Sequence, residues 1–234
     1  MVKQLGGRLS SRPLHFFFIA DCSGSMGFNG KIQALNTAIK EAIPHMRDVA
    51  SENPNAEVLV RAIAFSDGAR WHVGTPTPVD QFTWPDLQAE SVTDMGAALK
   101  EVAEQLKMPP MTERGLPPVL VLISDGQPTD DFSPGLKALM EQPWGLKAVR
   151  IAIGIGDDAD LEVLQRFIGN SELKPLQARN PEALIRRIRW ASTVVLKAAS
   201  APASQGTVAD TLTLQEEDDA DNPAGTSVSE EDVW

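Results

Sequence analysis

Residues 14–25 read Leu14-His15-Phe16-Phe17-Phe18-Ile19-Ala20-Asp21-Cys22-Ser23-Gly24-Ser25. The first seven are almost uninterrupted apolar residues, and they stop at a carboxylate. A run of that length without alternation is what a strand buried on both faces of a sheet requires. The residues after it are small and polar, and a helical pattern begins at Ile32. Strand, oxygen-rich loop, helix is the order in which open α/β sheets carry binding groups at the carboxyl ends of their strands.

Working outward, the strand His15–Ala20 has three counterparts: Val58–Phe65, Val119–Ser124 and Ala148–Gly154. Only Arg61 and Arg150 break their apolar character. Between them apolar residues recur at helical spacing. Ile32, Leu35, Ile39, Ile43 and Met46 form one face, and Met95, Leu99, Val102 and Leu106 a second. Leu161, Leu164, Phe167 and Ile168 form a third, with Asp160 as the expected cap and Gly169 as the stop. Asn180-Pro181 opens a last helix through Leu184, Ile185, Ile188, Ala191 and Val195. Pro44 falls inside the first helical pattern and is expected to kink or divide it. Ala69–Val73, after the turn Ser66-Asp67-Gly68, predicts a hairpin and hence one antiparallel edge strand. Residues 74–94 read as a long loop, which in a compact domain acts as a cover or carries function. The expected fold is a Rossmann-like three-layer α/β sandwich with a mostly parallel central sheet and one antiparallel edge strand. The expected divisions are an N-terminal extension over 1–12, one domain over 13–197, and an acidic, disordered tail over 198–234.

With 234 residues, 42% of them hydrophobic, the chain supports one domain with a substantial core. Its net charge of −11 is unevenly placed. Nine of the 32 acidic residues follow Lys197 and 23 precede it, whereas all 21 basic residues lie at or before Lys197. The body is therefore near neutral and offers no basic stripe for nucleic acid. The acidic end repels phosphates and anionic membranes. No apolar stretch approaches the roughly 20 residues of a membrane span. The N-terminal residues lack a signal peptide's apolar centre, so a cytoplasmic location is expected. A single cysteine, Cys22, fits a reducing compartment.

Asp21, Ser23 and Ser25 place a carboxylate and two hydroxyls at spacing i, i+2, i+4. Hard oxygens of this kind select hard cations, but the pentapeptide alone is equally a helix cap. Two distant segments change the balance. Thr93 ends the long loop just before a helix, in Ser91-Val92-Thr93-Asp94-Met95-Gly96. Asp125 lies just past the third buried strand, in Ser124-Asp125-Gly126. Parallel strands gather such positions along one edge, so Asp21, Thr93 and Asp125 are expected to converge. Other chemistries find less support. A serine nucleophile needs a histidine base, and His15, His45 and His72 are scattered without metal-ligand spacing. Gly154-Ile155-Gly156 lacks the third glycine of a dinucleotide loop. Cys22 reads as a buried, inert thiol. The tryptophans read as core or shielding residues, with Trp84 on the long loop also open to a place at an interface rim. In the tail, Thr211 and Thr213 before Glu216–Asp219 suggest a docking or phosphorylation segment. The plainer alternative is a solubilising end.

These positions resemble the metal-ion-dependent adhesion site, or MIDAS, of von Willebrand factor A domains: Asp21-x-Ser23-x-Ser25, Thr93 followed by Gly96, and Asp125-Gly126. All five site positions hold the family's residue types. The resemblance covers residues 13–197, including the hairpin and the stretch Ile153-Gly154-Ile155-Gly156-Asp157. Within the family, short cytosolic bacterial proteins of the TerY, tellurium-resistance-associated type look closest, on the opening Asp21-Cys22-Ser23-Gly24-Ser25-Met26. The resemblance implies the von Willebrand A fold and a complete site for Mg²⁺, or Mn²⁺, on Asp21, Ser23, Ser25, Thr93 and Asp125. It also implies a non-enzymatic role in which a partner protein's Glu or Asp carboxylate joins the ion. The TerY-type likeness implies a Ser/Thr kinase and a PP2C-type phosphatase as partners in a signalling or stress-response system. Two alternatives remain: a metal-dependent hydrolase, with Asp94 the acid nearest to hand as a base, and a scaffold whose metal is purely structural.

Overall fold

Strand β1 (Arg12–Asp21) contains three consecutive phenylalanines, Phe16, Phe17 and Phe18, all fully buried. Successive side chains of a strand point to opposite faces, so this segment is stable only with cover on both sides. Burying each ring contributes about 1.5–3 kcal/mol. The computed structural model, which describes residues 11–125 and 127–200, supplies that cover. A six-stranded sheet has the order β3-β2-β1-β4-β5-β6. Its other strands are β2 (Ala56–Ser66), β3 (Gly68–Pro78), β4 (Val119–Ser124), β5 (Val149–Ile155) and β6 (Leu176–Ala178). Every pairing is parallel except that of β2 with β3.

The helices are α1 (Lys31–Glu52), α2 (Met95–Gln105), α3 (Phe132–Met140), α4 (Pro143–Lys147), α5 (Leu161–Ile168) and α6 (Pro181–Ser200). α1 packs against α6, and α2 against α3, which gives the three-layer sandwich and the antiparallel edge that the sequence predicts. Among the described residues, no helix is long and apolar enough to cross a membrane.

Several expectations change in detail. α1 is not divided at Pro44. Pro44 and Lys40, whose carbonyl loses its donor, are both exposed, so the missing bond lies on the solvent side of the helix. The buried stripe through Ile39, Ile43 and Met46 continues across it. β3 extends to Pro78, beyond the expected Val73. The expected caps form: Asp160 Oδ1 accepts the Glu162 and Val163 N–H groups, and Asn180 Oδ1 accepts that of Ala183. Leu161, assigned to an apolar stripe, is 40% exposed. α3, α4 and β6 are additions to the sequence reading. α6 runs to Ser200, past the expected tail boundary, and Asn53 Nδ2 donates to the Ser200 carbonyl at 2.8 Å. α6 therefore ends beside the C-terminus of α1, at the end of the sheet opposite the loops that follow the parallel strands. The expectations for residues 1–10, for Gly126 and for the acidic tail, including Thr211 and Thr213, lie outside the described residues.

Candidate metal centre

The chain moves from β1 to β2 on one side and from β4 to β5 on the other, so the connections reverse between β1 and β4. Such a switch point leaves a crevice at the carboxyl ends of the two strands. Asp21 is the last residue of β1. The register pairs Ala20 with Ile123, so Asp21 stands beside Ser124 and one step from Asp125. Asp21 is fully buried and Asp125 is 2% exposed.

Both carboxylate oxygens of Asp21 are engaged. Oδ1 accepts the Ser23 N–H at 2.8 Å, which folds the chain sharply after the strand. Oδ2 accepts the Ser124 hydroxyl. Burial nevertheless pushes its pKa up to about 6, with Asp125 adding to the rise and the Ser124 and Ser23 hydrogen bonds opposing it. The bend leads into a 3-10 turn, Gly24–Gly27, with Ser23 before it. Ser23 is buried and Ser25 half-buried, and their Oγ atoms lie 3.0 Å apart.

Thr93 reaches the same edge through the long loop. The Glu90 N–H donates to the Cys22 carbonyl at 2.7 Å, and the Gly24 N–H to the Ser91 carbonyl at 3.2 Å. This short ladder lays residues 90–91 along 22–24. The Asp94 N–H then donates to Ser66 O, at the end of β2. Thr93, 6% exposed, is fixed on both sides by Thr129: its N–H donates to Thr129 Oγ1 and its carbonyl accepts the Thr129 N–H. The structure thus brings the Asp21–Ser25 loop, Thr93 and Asp125 to one strand-end edge. Asp125 is held by its carbonyl, which accepts the Asp160 N–H at 2.7 Å.

Residues that the sequence reading left aside do the positioning. Ser124 bonds Asp21 directly. Asp130 caps α2, its two carboxylate oxygens accepting the Gly96 and Ala97 N–H groups at 2.9 and 2.8 Å. Asn36 pins the long loop to α1: Nδ2 donates to Leu87 O, while Oδ1 accepts from Trp84 Nε1 and the Leu87 N–H, each at 2.9 Å. Trp84 is 6% exposed, so it belongs to this packed cover and not to an interface rim. Only the polar neighbour of an apolar residue, such as Ser124 in Val121-Leu122-Ile123-Ser124, carries any signal of this in the sequence.

Cys22 is buried, its Sγ donates to Phe65 O at 3.4 Å, and burial raises its pKa. That environment fits the buried, inert thiol expected from the sequence. Asp94 has both oxygens committed, Oδ2 to the Gly68 N–H and Oδ1 to the Thr129 hydroxyl. Among the described residues, no three His, Cys, Asp or Glu side chains gather into a metal-holding group. The donor set at this edge is two carboxylates and three hydroxyls. Those donors suit a hard divalent ion: two acids share a buried edge, no ion pair engages either of them among the described residues, and neutral hydroxyls stand at the same edge.

The sequence profile of the von Willebrand factor type A domain family matches residues 16–184. No curated protein sequence matches the chain. Among solved structures, the chain is similar to a von Willebrand factor type A protein from Catenulispora acidiphila. The two share 19% identity and a TM-score of 0.60 over 81% of this chain and 43% of that one. It is also similar to proximal thread matrix protein 1 from the mussel byssus, solved with a zinc-occupied MIDAS motif. There the identity is 15% and the TM-score 0.58 over 79% of this chain and 49% of that one. A third is the manganese-loaded TRAP protein of Plasmodium vivax, at 19% identity and a TM-score of 0.53 over 76% and 74% of the two chains. At these identities the likeness is one of fold. The chain spans less than half the length of the first two proteins.

Proposed function

We propose that this chain, which belongs to the von Willebrand factor type A domain family, is a non-enzymatic, divalent-cation-dependent module that binds a carboxylate of a partner protein. The observation that carries the reading is the pair of buried carboxylates, Asp21 and Asp125, at the switch point, with Ser23, Ser25 and Thr93 around them. In this reading those five residues hold Mg²⁺ or Mn²⁺. When bound, the ion supplies an electrophilic centre for an outside carboxylate. The zinc in the mussel protein's MIDAS and the manganese of the Plasmodium protein support a divalent ion. The hard donor set here favours magnesium or manganese over zinc.

The residues of the chain divide the remaining work. Ser124 and the Ser23 N–H orient Asp21. Thr129 fixes Thr93, and the ladder between residues 90–91 and 22–24 ties the long loop to the Asp21–Ser25 loop. Both oxygens of Asp94 serve the loops, accepting from the Gly68 N–H and the Thr129 hydroxyl, which supports a positioning role for this acid. Following the TerY-type resemblance, we assign the module to a cytoplasmic bacterial signalling or stress-response assembly. A Ser/Thr kinase and a PP2C-type phosphatase are the partners to test first.

Mn²⁺ binding to the full chain, followed by electron paramagnetic resonance, tests the site. Mn²⁺ is expected to bind, to be displaced by Mg²⁺, and to be lost from the folded Asp21→Asn/Asp125→Asn double variant. Unchanged Mn²⁺ binding by that variant sinks the assignment.

A further inference from the structure

Beside the proposed ion site lies room for a second side chain. An open crevice of about 450 Å³ separates the Asp21–Ser25 loop from the loop after β5, lined by Ser25, Phe28, Asn29, Lys31, Asp157 and Asp158. Ser25 belongs to both features, so a group in the crevice stands next to a carboxylate at the ion. Phe28 is 70% exposed, the most exposed large apolar side chain among the described residues. An aromatic face left in water beside a recognition site is a surface for stacking. Facing it are two carboxylates with spare capacity. Asp157 meets Arg179 at 2.8 Å and Asp158 meets Lys31 at 3.6 Å, yet their side chains remain 55% and 64% exposed. A carboxylate accepts about four hydrogen bonds, so each retains room for another donor. Lys31 itself is buried. Asp67, Asp94, Asp130, Asp131 and Asp160 on the neighbouring loops add negative charge around the edge, against Lys31, Arg70 and Arg179.

An aromatic ring with two carboxylates opposite it is the environment of a cationic side chain. We propose that the partner carries an arginine or lysine close to its ion-seeking carboxylate, and that this cation enters the crevice, lies on Phe28 and faces Asp157 and Asp158. The proposal rests on the cation-dependent recognition proposed above and specifies the partner it accepts. The acidic end of this same chain has the opposite chemistry, and repulsion from the edge carboxylates disfavours it as the occupant.

Three fluorescein-labelled, amidated glycine–serine peptides test this. They differ only two positions from a single central glutamate, where one carries arginine, one glutamine and one a second glutamate. Each is titrated with the full chain at low salt, with saturating Mg²⁺ and again with EDTA, and binding is read as anisotropy. Stacking and an exposed ion pair together predict roughly fivefold to tenfold tighter binding of the arginine peptide than of the glutamine peptide. The glutamate peptide binds weakest. The arginine preference should vanish in Phe28→Ala and shrink in Asp157→Asn, with Mn²⁺ binding retained in both. Equal Mg²⁺-dependent binding of the arginine and glutamine peptides overturns this proposal and leaves cation-dependent recognition standing. A preference unmoved by either substitution also overturns it, since the cation then sits elsewhere. If no peptide binds in Mg²⁺, both proposals fail.

Discussion

Gly24 stands where the site loop meets the long loop, and a β-carbon there would lie 2.9 Å from the Ser91 carbonyl oxygen. The obstacle is backbone, so it yields only if the ladder between the two loops opens. Gly24→Ala is expected to destabilise the fold by about 1–3 kcal/mol and to weaken Mn²⁺ binding, as read by denaturant titration and by spin resonance. Unchanged binding in the variant would mean that the ladder does not position Thr93. His15 gives a second residue-scale prediction. It is 7% exposed and lies near Arg61, and burial first, then the Arg61 charge, lowers its pKa from 6.5 to about 4. The folded state thus refuses a proton that the unfolded chain accepts. The resulting stability is complete above pH 6.5 and is lost as pH falls towards 4, by up to roughly 3 kcal/mol. His15→Phe should flatten that acid-side decline, and an identical decline in the variant would assign it to other groups. Arg61 is itself unusual. Its guanidinium lies 4.6 Å from the Phe17 ring centre and donates to Gln105 at 2.7 Å, while Nε and Nη2 find no hydrogen-bond partner among the described residues. The sequence shows Arg61 only as an interruption of an apolar strand, because what shelters it, Phe17, Trp71 and Gln105, comes from three other elements.

At the scale of elements, the long loop behaves as part of the core. Phe82, Trp84 and Leu87 are buried under it, and Arg47 donates to the Val79 and Phe82 carbonyls. Asn36 is its main fastening. Asn36→Ala would leave Trp84 Nε1 and both Leu87 backbone groups unpaired in a buried setting. The expected loss is about 2–4 kcal/mol, together with faster amide exchange across residues 82–92. Exchange confined to α1 would place the loss there instead. What was legible at this scale follows from length. β1, β2, β4 and β5 declare themselves because continuous apolar runs have one use in a sheet covered on both sides. β6 has three residues, too few for any period to show. α3 and α4 contain Pro134, Gly135, Pro143 and Gly145, which read as breakers. Yet a β-carbon on Gly135 would run into the Gly96 backbone, so the residue that hid the helix is the one that lets α3 approach α2. The same logic separates the legible part of the site from the rest. Asp21, Ser23, Ser25 and Asp125 stand out by residue type after strand ends, and Thr93 just before α2. Thr129, Asp130 and Asn36 bond to backbone groups, and a sequence does not show which backbone will be near.

For the molecule as a whole, a divalent ion that binds the folded chain and not the unfolded one must stabilise it. At a free concentration one hundred times the dissociation constant the gain is about 2.7 kcal/mol, or roughly 5–10 °C in melting temperature for a chain of this size. Calorimetry in Mg²⁺ and in EDTA should show that difference in the native chain and none in Asp21→Asn/Asp125→Asn. Equal melting temperatures under both conditions would contradict a bound ion. Should the shift appear while peptide binding persists in EDTA, the ion would be structural and the recognition reading would fall. A single edge thus supports both a thermodynamic and a recognition test, because the sheet gathers groups from positions 21 to 125 into one place.

The bond between Asn53 and Ser200 fixes a separate property. α1 is about 33 Å long at 1.5 Å per residue. Its first residue, Lys31, lines the crevice, and its far end holds Ser200. A sensor surface, bead or fluorophore coupled just after Ser200 would therefore hold the domain by the pole opposite the proposed ion site. Molecules tethered that way would all present the same face to solution, an orientation that random lysine coupling would not achieve.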